Sequence, residues 1–394
     1  MGYLKFAADH IFTGNDLLPA GKVLICQDDG TVAAITDITE AGDDVHRFAG
    51  MLCPGFVNAH CHIELSHMKG TIAPGSGLVN FVQQVMAKRG GLTPEQQQEA
   101  MRLAEEELYT SGTVAVGDIC NTTDSLSLKQ NSRMRWQNFI EVTGFVDAAA
   151  EKRLQQAIEV QSAFLAAGLN NSTLSPHAPY SVSRTLFRLL NEATAGQLTS
   201  VHNQEAVAEN ELYLYKQGEF LQLYENFGID ISGFESTALT SLQSWLPWFD
   251  KNQRLLLVHD TFTSKEDLEW AMKEKDPASL FFCLCIGANQ YIEQRDPPVE
   301  LFRTHGCRIV MGTDSYASNL QLNILEEVKM IDSQFTYRLP LAEILGWATM
   351  NGAMALGMED SLGSFEVGKK PGVVLIDHVS EGHTTKGSSA KRLL

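Results

Sequence analysis

The sequence predicts an α/β protein, a (β/α)₈ barrel over residues 51–362 beside a small β-sandwich domain built from residues 1–50 and 363–394. Three observations carry this expectation. Strand-like apolar runs alternate with helix-period segments through the centre of the chain, β-like runs broken by turn formers occupy both ends, and polar residues stand repeatedly at the C-terminal ends of the central runs. At 394 residues the chain exceeds the roughly 250–300 residues at which single cores stop growing, so a large unit with a smaller companion is expected.

In chain order, the first β-like runs are 22–26 and 31–35, divided by Asp28-Asp29-Gly30. The matching terminal segment is 363–377, and residues 382–389 read as a flexible tail. The central runs begin with Leu52 to Ala59, taken as one strand, and continue at 113–117, 137–142, 172–175, 199–201, 255–258, 280–285 and 308–311. Helix-period segments between them include 94–110, 148–167, 183–195 and 264–275, the last opened by a Ser-x-x-Asp cap. No Gly-rich phosphate loop follows the first run, so the alternative of an open dinucleotide-binding sheet rests on alternation alone.

Acidic residues outnumber basic ones by 48 to 30, a formal net charge of −18 that opposes binding to nucleic acid polymers or anionic membranes. Seven scattered cysteines, without paired spacing, fit a reducing compartment. No run reaches about 18 uninterrupted apolar residues and the N-terminus shows no signal-peptide core, so a cytoplasmic protein is expected.

Polar residues cap the central runs in a common register: His60 and His62 on the first, His177 after the fourth, His202 after the fifth, His259 after the sixth, Asn289 shortly after the seventh and Asp314 after the eighth. Three neutral imidazoles and a carboxylate suit one divalent ion, Zn²⁺ or Fe²⁺, with a coordination position left for water. The candidate ligands are His60, His62, His202 and Asp314. Such an ion makes water nucleophilic at neutral pH, so the chemistry is expected to be hydrolytic. Glu205, three residues after His202, is placed to shuttle a proton. His259 is placed to orient the hydroxide or polarise the substrate, and His177, in a proline-bracketed loop, to hold a substrate group. Taken singly, each residue has a plainer reading: a surface His-x-His, a helix-start glutamate, a loop histidine, a turn aspartate. Their shared position at strand ends selects the site. Residues 219–249, long and aromatic, read either as a lid over a flat ring or as helix packing.

The ordered set Pro-Gly-Phe-Val-Asn-Ala-His60-x-His62, Ser-Pro-His177-Ala-Pro-Tyr-Ser, His202-x-x-Glu205, His259 and Gly-Thr-Asp314-Ser resembles the amidohydrolase superfamily, in its branch of chlorohydrolases and amino-heterocycle deaminases. It is similar in particular to adenosylhomocysteine, aminodeoxyfutalosine and guanine deaminases. The resemblance implies a single metal, since no lysine stands at the fourth strand, with His177 and Asn289 on the substrate. It implies attack of hydroxide on a ring carbon bearing an exocyclic amine, release of ammonia, and a homodimer. Dechlorination or cyclic amide hydrolysis on a similar ring, and a catalytically silent ligand-binding barrel, are the alternatives. One departure is local: relatives often read Cys-Pro-x-Ser/Ala-Asn where this chain has Cys285-Ile286-Gly287-Ala288-Asn289.

Overall fold

The computed structural model describes residues 2–334 and 339–394. Eight strands alternate with helices, and all pair in parallel: β1 (Phe56–Cys61), β2 (Thr113–Cys120), β3 (Arg135–Val142), β4 (Ser172–Pro176), β5 (Leu198–Asn203), β6 (Arg254–His259), β7 (Leu280–Leu284) and β8 (Arg308–Met311). They form two four-stranded sheets, β4-β3-β2-β1 and β5-β6-β7-β8. Both seams between the sheets carry hydrogen bonds. His202 N donates to His177 O (2.9 Å) across one, and Asp314 N to His60 O (3.1 Å) across the other. Each strand is almost wholly buried, as expected where helices cover a parallel sheet.

The chain ends build two further sheets. One is ordered Val32–Asp37, Lys22–Gln27, Tyr3–Ala7, Val45–Arg47; the other Ala390–Arg392, Val373–Ile376, Met51–Pro54, His10–Phe12, Leu17–Leu18. Phe6, Leu24 and Val32 of the first share an apolar cluster with Ile11, Leu52 and Val373 of the second.

Two expectations are corrected here. The run Leu52 to Ala59 is two strands, not one: Met51–Pro54 belongs to the terminal sheet, paired with Val373–Ile376, and β1 starts afresh at Phe56. Gly55 makes the break, donating its N–H to Pro371 O (2.9 Å). A Cβ on Gly55 would lie 2.2 Å from Val114 Cγ1 and 2.6 Å from Pro371 O. Gly55→Ala is therefore expected to cost about 1–3 kcal/mol by overpacking, read as a lower urea midpoint. A midpoint equal to wild type would show that the contact relaxes freely.

The supposed tail at 382–389 is tied down. Thr384 N and Oγ1 both donate to the buried Asp332 carboxylate (2.6 Å each), and Lys329 Nζ donates to Lys386 O (3.2 Å). A polar sequence hid this because its partners lie about fifty residues away.

Candidate metal centre

Strand direction gathers the chemistry, because side chains at the C-terminal ends of parallel strands face one mouth. His60 is in the last turn of the β1 pleat, and His62, two residues on, points the same way. β5 supplies His202, β6 ends on His259, and Asp314 follows β8. Several of these end residues depart from strand geometry: φ is +77° at His259, +57° at Asp314 and +43° at Gln204. Non-glycine residues in that region are strained, and such strain concentrates where surroundings fix a functional side chain. Gly312 lets β8 close in; a Cβ there would sit 2.8 Å from His60 Cβ.

Four of the five converge closely. His62 Nε2 lies 3.1 Å from His60 Nε2 and 3.2 Å from His202 Nε2. Asp314 Oδ1 lies 3.6 Å from His60 Nε2 and 3.4 Å from His62 Nε2. Donors about 2.0–2.1 Å from a tetrahedral zinc ion are about 3.3–3.4 Å apart, so this spacing fits one small cation. Protons alone satisfy it poorly, since His62 Nε2 faces two ring nitrogens at once. The set is also in its ligand form. Burial drives His60 down to about 4 and His202 well below its ordinary value, which keeps both imidazoles neutral. Burial pushes Asp314 up, but the His60 hydrogen bond and the neighbouring histidines outweigh it and hold the carboxyl well below its usual range. His202 Nδ1 donates to His177 O (2.7 Å), which leaves Nε2 free to ligate.

Glu205 stands beside this set, its Oε1 3.6 Å from His259 Nε2. Burial, then the charges of Asp314, Glu209 and Glu293, push its carboxyl well above the usual range, a condition suited to a group that both accepts and returns a proton. His259 is fixed from behind, with its Nδ1 2.7 Å from Asn289 Oδ1.

That contact alters the picture of Asn289. The resemblance implies a substrate contact for it; in the structure its Oδ1 lies 2.7 Å from His259 Nδ1, and its buried Nδ2 has no hydrogen-bond partner among the described residues. Asn289 sits in a helix, Ile286–Ile292, whose Gly287 N–H donates to Glu327 Oε2 (2.9 Å).

His177 is held by a residue the sequence analysis passed over. Glu141, on β3, takes His177 Nδ1 at 2.5 Å and also accepts from Asn121 Nδ2. Burial opposes the Glu141 charge, but His177 overcomes it and brings the carboxyl down to about 2; in return Glu141 raises His177 against its own burial. His177 Nε2 lies 3.2 Å from Tyr180 Oη. A second unrecognised residue is Glu209, whose carboxylate accepts from Gln204 N (3.1 Å) and Glu205 N (2.7 Å) and so clamps the backbone that carries Glu205.

His62, His177, His202, Glu205, His259 and Asp314 open on a cavity of about 390 Å³. Two larger depressions, about 610 and 730 Å³, lie elsewhere and contain no histidine. The aromatic stretch after β5 is divided in use. Leu223, Tyr224, Phe227 and Ile229 line the cavity, whereas Trp245, Leu242 and Leu246 pack in the core.

A model of the amidohydrolase family matches residues 51–391. An adenosine deaminase of Helicobacter pylori is 28% identical over 326 residues, 81% of this chain and 77% of that protein. The crystal structure of Helicobacter pylori aminofutalosine deaminase in complex with methylthio-coformycin superposes with a TM-score of 0.82 at 24% identity, covering 99% of this chain and 100% of that one. An adenosine deaminase from Xanthomonas campestris with bound zinc gives 0.73 at 21% identity, over 95% and 84%.

Proposed function

Because the chain belongs to the amidohydrolase family, we propose that it is a metal-dependent hydrolytic deaminase of an adenosine-type nucleoside, replacing the ring amine by oxygen and releasing ammonia. The observation that carries this reading is the convergence of three imidazoles and a carboxylate beside a buried Glu205 at the floor of a cavity.

His60, His62, His202 and Asp314 would hold one divalent ion; a nitrogen-rich set of this kind suits zinc, with Fe²⁺ the alternative. Such an ion supplies a nucleophilic water at neutral pH. Glu205 is placed to accept a proton from an attacking water and to return it to the departing amine nitrogen, so that the carboxyl would end the cycle as it began. His259, aligned by Asn289, orients the attacking oxygen. His177, whose charged form Glu141 favours against its burial, faces the cavity to hold a substrate group, and Tyr180 supports the same face. In this reading the two parallel sheets close into one (β/α)₈ barrel over residues 51–362, and residues 1–50 and 363–394 form the β-sandwich beside it.

Seven free cysteines support a cytoplasmic setting, and a homodimer belongs to the same proposal. No helix among the described residues is long and apolar enough to cross a membrane.

The test is a coupled ammonia assay over adenosine compounds, guanine, pterins and a chlorinated triazine. Ammonia from the adenosine compounds is the expected result; chloride release from the triazine without ammonia from any amine would replace this reading with dechlorination.

A further inference from the structure

The ends of β5 and β6 are joined by more than their ladder. Asn203 is the last residue of β5 and pairs in register with His259, the last of β6. Past them both chains turn through left-handed backbone, with φ +43° at Gln204 and +52° at Asp260. Asp260 N donates to Asn203 O (3.0 Å) and Phe262 N to Gln204 O (2.9 Å), so the two turns run side by side. Non-glycine residues hold such backbone only where their surroundings over-determine it.

Side chains supply that determination. Asn203 is fully buried and engaged at both ends: its Nδ2 donates to Asp260 Oδ1 (2.8 Å), and its Oδ1 accepts from Trp245 Nε1 (3.0 Å). Asp260 Oδ2 is buried with no hydrogen-bond partner among the described residues, so the hydrogen bonding of this carboxylate is confined to Asn203. Gln204, equally buried, accepts from Thr263 Oγ1 (2.8 Å) and donates through Nε2 to Asp267 Oδ2 (2.9 Å), both beyond β6. Each polar side-chain atom of the two amides thus has a partner, and buried networks satisfied in this way fix one arrangement of the backbone around them. Glu209 fixes Gln204 and Glu205 within their own loop; the Asn203 and Gln204 side chains carry that loop across to β6. Glu205 follows this pair and His259 precedes Asp260, and the two face each other, Oε1 to Nε2 at 3.6 Å.

Resting on the deaminase reading above, we infer that Asn203 and Gln204 are positioning residues for the proton transfer: by tying the turn after β5 to the turn after β6, they hold the Glu205 carboxyl at its spacing from His259. Trp245 anchors the tie, which gives the core half of the aromatic stretch after β5 a part in the site. A misplacement of about 1 Å costs a reaction on the order of a hundredfold. The step that depends most on the carboxyl is delivery to the leaving nitrogen, because an amine departs as ammonia only after gaining a proton. A chloride departs without one.

The experiment compares adenosine and 5′-deoxyadenosine with their 6-chloropurine counterparts, reading ammonia and chloride release, metal content and melting temperature for each variant. Asn203→Leu and Gln204→Met are expected to lower kcat for the amines about tenfold to a hundredfold at unchanged metal content, and the amine-to-chloride ratio of kcat about tenfold. Asn203→Asp sets a second carboxylate against Asp260 and is expected to do the same. Adding Asp260→Asn to it exchanges donor and acceptor, and is expected to restore both the ratio and the amine kcat, so the test decides even where chloride is not released. Trp245→Phe keeps a ring in the core and removes only the indole N–H; a smaller fall of the amine kcat is expected from it. Unchanged amine rates in these variants would overturn the proposal, as would amine and chloride rates falling together, the mark of structural support alone. So would metal lost with activity, which would assign the tie to His202, or an exchanged pair no faster than Asn203→Asp. Wild-type protein that releases no ammonia from either amine would instead overturn the deaminase reading on which the proposal rests.

Discussion

Glu205→Gln is expected to lower kcat by about a hundredfold to ten-thousandfold while the purified protein retains its metal ion. The substitution keeps shape and removes the titrating oxygen. The backbone of Glu205 is held by Glu209 rather than by its own carboxylate, so the neighbouring loop has no reason to move. Steady-state kinetics with metal analysis of the same preparation separates the two quantities. Metal lost together with activity would make Glu205 a ligand, and a loss smaller than tenfold would remove it from the proton path.

His202→Ala is expected to weaken metal binding by more than about a hundredfold, beyond the effect typical of removing an outer partner of a ligand. It also erases turnover. Equilibrium dialysis against zinc, with ammonia release measured in parallel, reads both. His202 is the discriminating choice because its Nε2 faces His62 Nε2 and its Nδ1 is committed to His177 O. Full occupancy in the variant would move the ion elsewhere among the histidines, for instance toward His259, which also lies within 4.8 Å of His60 and His202.

What the sequence disclosed of this site follows from where the residues sit. His60, His62, His202, His259 and Asp314 each terminate an apolar run, and a polar residue in that position has few structural reasons to be there. Glu141 stands inside β3 among Phe139, Ile140 and Val142, where alternation alone reads it as a solvent-facing strand residue. Glu209 looks like any first-turn acid of the helix Val207–Tyr215. The helix Leu78–Lys88 shows the deepest limit: periodicity reports that one face is apolar, but that its Leu78 and Phe81 are buried in an apolar cluster while Met86 stays exposed is decided by elements far along the chain. The same holds for the break at Gly55, which depends on Val114 and Pro371 and leaves no local mark beyond the Pro54-Gly55 pair.

That break has a mechanical meaning. The strand Met51–Pro54 and β1 are separated by a single residue, so the chain leaves the terminal sheet and reaches His60 six residues after Pro54. The terminal sheet therefore anchors His60 and His62 as a hinge pin anchors a door. A fragment lacking the terminal sheets would carry His60 and His62 on a fraying strand end, and damage to Val373–Ile376 would be felt as a displaced pair of imidazoles. The part of the molecule farthest from the chemistry in function is, along the chain, its nearest neighbour.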